Sequence, residues 1–574
     1  MEQTQMLKIA LLSNCTTEYI SKAMKEEYSS YQLEPQILNR PYNQFNDEIM
    51  DPNSELYSFK PEIIFFLLEG ELILEEWYRF NILQNNEDSK LLLIQKTFHS
   101  LTEIIDKARM NSKAKIIFNN FKIPYYSPLG ILDNKNELGL KEMIAKLNTQ
   151  LEVWVRHQAN VYIFDYQGLS SEYGNNYSQD AKMYYLTMNP ASFPFIKVLV
   201  KEYLRYILPL KNMNRKCLVL DLDQTLWGGI AGEDGISGIV LDVSGPGRSF
   251  YDFQRELLKL YEKGILLAIN SKNNFQDAME IIDNHPHMLL RSNYFASIKI
   301  NWHDKNQNMI EIAKELNIGI DSLVFFDDNP VERELIAALL PKVKVVDVPR
   351  DTSNYVDALR KVVDFEVLNI TVDDIKRNEM YLSNQKRSAE ETLYNSKEDF
   401  LSSLHSKLIL KRADEFSLPR IAQLIGKTNQ FNMTTKRHVL EEVKKMASSE
   451  NYMVFCASVT DKFGDNGIVG VCIVNLAGVV AYIDTFLLSC RVLGRNIEYC
   501  LLSSIIHILE KKDIQRIVAY YIETPKNEAN KDFYQIAGFK ELKHEDDKTF
   551  FEMVKPFPLK SFDYIEVQAE NGGQ

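Results

Sequence analysis

Between residues 216 and 348 the chain alternates strand-length apolar runs with amphipathic helical stretches, and that alternation restricts the fold more than any other feature. The spacing predicts strands over 217–222, 265–270, 297–300, 322–326 and 343–347, with helices over 248–263, 274–284, 304–316 and 330–340. Apolar strands joined by helices require a parallel sheet covered on both faces, so this segment reads as a doubly wound α/β domain. A similar alternation precedes it, in LKIALLS, PEIIFFLL, KAKIIFNNF and ANVYIFDY, and defines another α/β domain with a mainly parallel sheet. From KLILKRAD onward, strands surround the helices instead, which suits an α+β sheet. The expected division is 1–205, 206–366, a helical connector over 367–404, and 405–574.

Composition narrows the functions. A hydrophobic fraction of 45% and a charged fraction of 25% are those of a globular chain, not a disordered one. A formal charge of −13 argues against general nucleic-acid or anionic-membrane binding. Six cysteines without a Cys-x-x-Cys pair suit neither a disulfide framework nor a zinc site, and reduced thiols in a cytoplasmic protein are expected. The opening residues lack the pattern of a signal peptide, and no run approaches the ~20 apolar residues of a membrane span.

The sharpest chemical signal is Asp221-Leu222-Asp223-Gln224-Thr225, directly after the apolar run CLVL. Carboxylates at i and i+2 beyond a parallel strand point the same way, so one can attack phosphorus while the other handles a proton. Ser271 and Lys272 follow the next strand, Lys305 opens a helix, and Asp327 and Asp328 follow another strand. This order resembles the haloacid-dehalogenase-like (HAD) phosphatases and phosphotransferases. The resemblance implies Asp221 as nucleophile, Asp223 as general acid/base, Thr225 and Ser271 as phosphate donors and Lys305 as charge neutraliser. It also implies Mg2+ held by Asp221, the Asp223 carbonyl and Asp327 or Asp328.

A narrower fingerprint lies in DLDQTLWGGIAGEDGISGI, INSKNN, NWHDKNQNM and FFDDNPVERE, which resemble the FkbH-like family, glyceryl-transfer enzymes of polyketide pathways. Gln224 replaces that family's commoner Asn. Trp227 and glycines 228, 229, 232 and 235 suit a tight turn and hairpin beside the site, with no long cap insertion before Ser271.

In the third unit, Cys490-Arg491-Val-Leu-Gly494-Arg495-Asn496 bridges a strand into a helix. Arg-x-x-Gly resembles the phosphate-binding loop of GCN5-type (GNAT) acyltransferases, although Asn496 stands where that pattern has Gly or Ala. Asn527, Ala529, Asn530 and Phe533-Tyr534 through Gly538-Phe539 resemble a later signature of the same fold. Cationic neighbours and a helix N-terminus favour thiolate, so Cys490 is a candidate nucleophile, while Cys15, Cys217, Cys456, Cys472 and Cys500 read as small buried hydrophobes. The FkbH-like resemblance implies that Cys490 holds a glyceryl group as a thioester. It also places Asn429, Gln430, Asn432 and Thr434, within KTNQFNMTTKR, at the acyl site. Lys427, Lys436, Arg437, Lys444 and Lys445 are a candidate basic patch for an acidic partner, or a solvated helix face. LKIALLSNCT resembles the SGNH-like amino-terminal region of the same family, with Ser13, Asn14 and Asn120 as candidates, but no Asp-x-x-His follows near residue 180 and docking is the expected role.

The expected activity is dephosphorylation of a phosphorylated three-carbon acyl donor, similar to 1,3-bisphosphoglycerate, and transfer of the acyl group through Cys490 to the phosphopantetheine arm of an acyl carrier protein. The alternative is a phosphatase of small phosphoesters fused to an N-acyltransferase that uses acetyl-CoA. A third reading, a scaffold that keeps the folds without the chemistry, fits poorly with so complete a set of acids, hydroxyls, lysine and metal-binding carboxylates.

Overall fold

A computed structural model of the chain describes residues 5–40, 43–79, 85–524, 526–545 and 547–569. It comprises two compact units, Met1–Ile207 and Leu208–Gln574. No described helix is long and apolar enough to cross a membrane.

In the first unit, strands β1 (Gln5–Ser13), β2 (Leu33–Asn39), β3 (Ile63–Leu67), β4 (Lys115–Asn119) and β5 (Val161–Phe164) form a parallel sheet in the order β2-β1-β3-β4-β5. β3 is buried along its whole length, as a strand covered on both faces must be. β2 was not among the expected strands, since LEPQILN alternates polar and apolar residues around a proline and sits at the sheet edge, where proline is tolerated.

The second unit opens with β6 (Cys217–Leu220), β7 (Leu266–Ser271), β8 (Phe295–Ile300), β9 (Leu323–Phe326) and β10 (Lys344–Val345), a parallel sheet in the order β10-β9-β6-β7-β8. Its helices, Arg248–Glu262, Phe275–Asn284, Lys305–Glu315 and Pro330–Leu339, fall within a residue or so of the expected spans. The glycine-rich stretch differs. Only the Gly228–Val240 bridge resembles a hairpin, and residues Ala231–Gly238 form two short helical turns joined by a kink at Gly235 (φ 61°). The reason is local: Ile230 N–H donates to Asp234 Oδ2 and Ala231 N–H to Asp223 Oδ1, so carboxylates satisfy the donors that a helix start leaves free.

The stretch expected as a helix pair contains three helical pieces, Val372–Ile375, Arg377–Glu391 and Lys397–Ser403. Beyond it, β11 (Ser406–Arg412), β12 (Phe431–Asn432), β13 (Tyr452–Asp461), β14 (Gly464–Ala477), β15 (Val480–Leu488), β16 (Arg516–Ile522), β17 (Lys540–Glu545), β18 (Lys548–Val554) and β19 (Ile565–Ala569) build one mixed sheet. β15 and β16 are parallel and pair only over Val480–Tyr482 before diverging. A bulge in the β14–β15 ladder accompanies that divergence, and helix Ile497–Glu510 packs its apolar face on the sheet. The α+β topology is the one expected.

Candidate active site

The first centre lies at the carboxyl edge of the β6–β10 sheet. β6, β7 and β9 are fully buried, so each chain segment turns polar only where it leaves the sheet. Asp221, Asp327 and Asp328 emerge there with ligand oxygens all within 4.8 Å of one another. Lys305, the first residue of its helix, places Nζ 3.0 Å from Asp221 Oδ1 and 2.5 Å from Asp327 Oδ2. Asn270 fixes that helix start by donating to the Lys305 carbonyl (2.9 Å) while accepting from Asn308 (3.0 Å). Burial pulls the Lys305 ammonium toward neutrality, but Asp221 and Asp327 outweigh it and hold the proton on. Burial raises Asp327 to about 7 and Asp328 to about 6, with the Asp221 charge adding to both. Three carboxylates around one ammonium form a hard-oxygen site short of positive charge, which fits a divalent cation.

The Asp223 carboxylate is turned away from that cluster. Its Oδ1 accepts from Trp227 Nε1 (2.9 Å) and Ala231 N–H (3.1 Å), and its Oδ2 from Asn273 Nδ2 (2.8 Å). Burial and the neighbouring Asp221 nonetheless raise it, so it keeps a proton more readily than an ordinary aspartate. Thr225 and Ser271 are buried beside it in sequence and strand order, and Thr225 Oγ1 is a buried hydroxyl with no hydrogen-bond partner among the described residues. Gln224 adopts a left-handed conformation (φ 56°), and Tyr355 OH holds its carbonyl at 3.0 Å. Trp227, Asn273 and Tyr355 went unassigned to these roles in the sequence, because their contacts depend on how separate loops meet.

The second centre surrounds Cys490, which is half-buried at the end of β15, while the other five cysteines are buried. Its carbonyl accepts from Asn317 Nδ2 (2.7 Å), in the turn entering β9. Tyr381, buried on helix Arg377–Glu391, is its neighbour, and burial and then Cys490 hold the tyrosine hydroxyl well above its ordinary value. Arg491 lies on the Met380 sulfur and donates to Ser489 Oγ (3.2 Å). Arg495 faces the protein interior, where its guanidinium and that of Arg387 bind Asp461. Gly494 and Asn496 are both left-handed (φ 77° and 62°), a region that asparagine enters more readily than most residues other than glycine. The Asn496 amide donates to Tyr564 OH (2.6 Å), and a buried Glu498 occupies the first turn of the following helix, where an anion would otherwise sit.

In the segment 429–437, the candidate acyl-site residues make contacts within the chain. Asn432 is fully buried and pins the turn through Thr428 O (3.1 Å) and Thr435 N–H (2.9 Å), while Asn527 holds the Asn432 carbonyl (2.9 Å). Asn429 accepts from Arg437, and the Gln430 carbonyl accepts from Asn530 (2.7 Å). Lys436 pairs with Asp484, and Arg437 binds the Ile425 and Thr428 carbonyls, so both cations hold the chain's own groups. In the first unit, Ser13 OH donates to Leu67 O (2.6 Å), Asn14 exchanges hydrogen bonds with the Glu69 backbone, and Asn120 binds Asp165 and Gln167.

Residues 8–207 match the family FkbH, N-terminal domain. The N-terminal part of the protein BF1531 from Bacteroides fragilis, which contains a phosphatase domain and was solved complexed with Mg, is 30% identical, with 64% of this chain and 95% of that one covered and a TM-score of 0.59. PaiA N-acetyltransferase from Thermoplasma acidophilum, in complex with coenzyme A, is similar at 21% identity over 20% of this chain and 68% of that one (TM-score 0.18). The ribosomal-protein-S18-alanine N-acetyltransferase from Escherichia coli is similar at 13% identity over 27% and 97% (TM-score 0.21). Likeness at these last two levels adds nothing to the topology described above. No curated protein matches the chain. Fold and site together define an enzyme of the HAD-like phosphatase class joined to an α+β domain. The chain belongs to the FkbH-like family.

Proposed function

We propose that the chain dephosphorylates a phosphorylated three-carbon acyl donor, similar to 1,3-bisphosphoglycerate, and passes the acyl group through a Cys490 thioester to the pantetheine thiol of an acyl carrier protein. The observation that carries the reading is the convergence of Asp221, Asp327, Asp328 and Lys305 at one sheet edge. Asp221, Asp327 and Asp328 would hold Mg2+, which supplies charge neutralisation of the phosphoryl oxygens. An Asp221 oxygen attacks phosphorus, the phosphorus–oxygen bond to the substrate alcohol breaks, and the leaving oxygen takes the proton of Asp223. Water then attacks the aspartyl phosphate, gives its proton to Asp223 and releases phosphate. Thr225 and Ser271 donate to phosphoryl oxygens and Lys305 balances their charge.

At the second centre the Cys490 thiolate attacks the acyl-phosphate carbonyl and displaces phosphate, forming a thioester. The carrier thiolate then attacks that carbonyl and Cys490 leaves as thiolate. The edge of β15 exposed by divergence from β16 is taken by the chain itself. Phe431 and Asn432 pair with Leu488 and Leu487, Met433 N–H donates to Phe486 O (3.0 Å), and Ile522 N–H donates to Met433 O (2.8 Å). The test is intact mass after incubation with donor. Wild type should gain a hydroxylamine-labile acyl increment and Cys490→Ala should not, and an alanine variant that loads carrier protein at the wild-type rate would sink the cysteine route.

A further inference from the structure

Three consecutive peptide groups are held where the chain leaves β9. The Phe326 carbonyl accepts from the Asp221 N–H (3.1 Å), and the Asp327 and Asp328 carbonyls both accept from one atom, Arg333 Nη1, at 2.8 Å each. A peptide group is planar, so fixing the planes before and after a residue fixes its φ and ψ, and with them the direction of its side chain. Asp327 lies between the first and second of these planes, and Asp328 between the second and third. Asp327 has further holds of its own, from Lys305 Nζ on Oδ2 (2.5 Å) and the Asn329 N–H on Oδ1 (2.9 Å). The Arg333 contact is one that the two aspartates share.

The helix itself does not call for an arginine there. Arg333 is the fourth residue of Pro330–Leu339, whose N-cap Asn329 already accepts from the Val331 N–H (3.0 Å), and a cation so near the start faces the positive end of the helix dipole. The same turn is tied across the centre. Glu332 pairs with Lys272 Nζ (2.8 Å), which follows β7, and β6 with Asp221 runs between β7 and β9.

We propose that Arg333 is a positioning residue of the phosphate centre, which keeps the Asp327 and Asp328 carboxylates turned toward Asp221 so that the three can receive Mg2+. The inference rests on the proposed Mg2+ seat at Asp221, Asp327 and Asp328, and in this role Arg333 contacts neither metal nor substrate. An outer partner of this kind is worth about tenfold to a hundredfold in metal affinity.

The test titrates the full chain with Mn2+, a cation that takes the same hard oxygen ligands, and reads the free ion by electron paramagnetic resonance, with Mg2+ as competitor. Arg333→Gln should weaken Mn2+ binding by about that factor while the melting temperature in EDTA stays near that of wild type. Arg333→Lys should recover most of the loss, since an ammonium also offers several donors from one atom. In Arg333→Gln the Mg2+ concentration that half-saturates phosphate release should rise while the rate at saturating Mg2+ returns, a split that a general loss of folding does not give. Unchanged Mn2+ affinity in Arg333→Gln, or a loss that Arg333→Lys does not lessen, overturns the proposal. If Arg333→Gln is too unstable to titrate, Arg333→Lys and Arg333→Met decide: the lysine variant should bind Mn2+ more tightly, and equal affinity in the two overturns the proposal. Asp327→Asn separates the premises. A wild-type chain without a Mn2+ site, or with one that Asp327→Asn leaves intact, would sink the metal seat, whereas a site lost in Asp327→Asn and unchanged in Arg333→Gln would sink only the role of Arg333.

Discussion

Asp461→Asn should unfasten the Cys490 loop. The Asp461 side chain is fully buried at the end of β13, with Arg387 at 2.7 and 2.9 Å, Arg495 at 2.7 Å and the Phe463 N–H at 2.9 Å. At an effective dielectric of 20 each guanidinium contact at 2.7 Å is a Coulomb attraction of about 6 kcal/mol, before the desolvation that opposes it. Asparagine keeps the shape and one acceptor but strands two buried guanidinium groups, and breaking such a pair costs about 3–5 kcal/mol. For a unit spanning Leu208–Gln574 that corresponds to a fall of about 5 °C in its calorimetric transition. Replacing all three members with apolar residues of similar volume should cost less than the single change, because no charge is then left buried alone. Arg495 also donates to the Arg491 carbonyl (2.9 Å) and Arg387 shares its helix with Tyr381, so thioester yield at Cys490 should fall with stability. A loss under about 1 kcal/mol, the scale of a surface pair, with unchanged acylation, would refute this account.

Asp221→Asn should lower phosphate release at least about a thousandfold with the melting transition intact, measured with Mg2+ and a small phosphoester. Mg2+ at a hundred times its dissociation constant should stabilise the chain by about 2.7 kcal/mol relative to EDTA, and Asp327→Asn should abolish that shift in a thermal melt. Burial pushes Asp484 upward, but hydrogen bonds from His438 (2.8 Å) and Lys436 outweigh it and hold the carboxyl at about 2. A lowered aspartate stabilises the fold above pH ~4 and loses that contribution as pH falls through ~2, roughly 2 kcal/mol here; acid titration of Asp484→Asn should lack it.

The phosphate centre was legible because most of its residues lie at or just beyond the end of a strand, and strand ends are marked in the sequence by the switch from CLVL, LLAIN or LVFF to polar residues. Asp223 shows the limit: its position was readable, but the partners that turn its carboxylate, Trp227 and Asn273, come from separate loops. Around Cys490 the local motif misled in one respect. Arg495 sits beside the cysteine in sequence, yet its partner Asp461 lies 34 residues away and draws it inward. Tyr381 is over a hundred residues from Cys490 and lies in a charged helix that reads as a connector, with no signal of its own.

The two centres occupy opposite edges of one sheet, and this restricts the order of steps. Asp221 and Asp327 follow the carboxyl ends of β6 and β9, while Cys490 is bonded through its carbonyl to Asn317, in the turn that enters β9 from the other edge. Four buried residues of β9, at about 3.3 Å each, put roughly 13 Å of sheet between them. A phosphorylated three-carbon acyl group on Cys490 reaches no more than about 8 Å, counting five or six bonds of about 1.5 Å each, so its phosphate cannot arrive at Asp221 of the same chain. On the proposed route, phosphate must leave either before the thioester forms or after the acyl group has moved to a longer arm. A phosphorylated acyl thioester trapped on Cys490 without carrier protein should therefore keep its phosphate with Mg2+ present and Asp221 intact. Intact mass over time reads this directly. Loss of phosphate from that adduct at a rate independent of enzyme concentration would mean that the two centres meet within one chain, against the geometry described here.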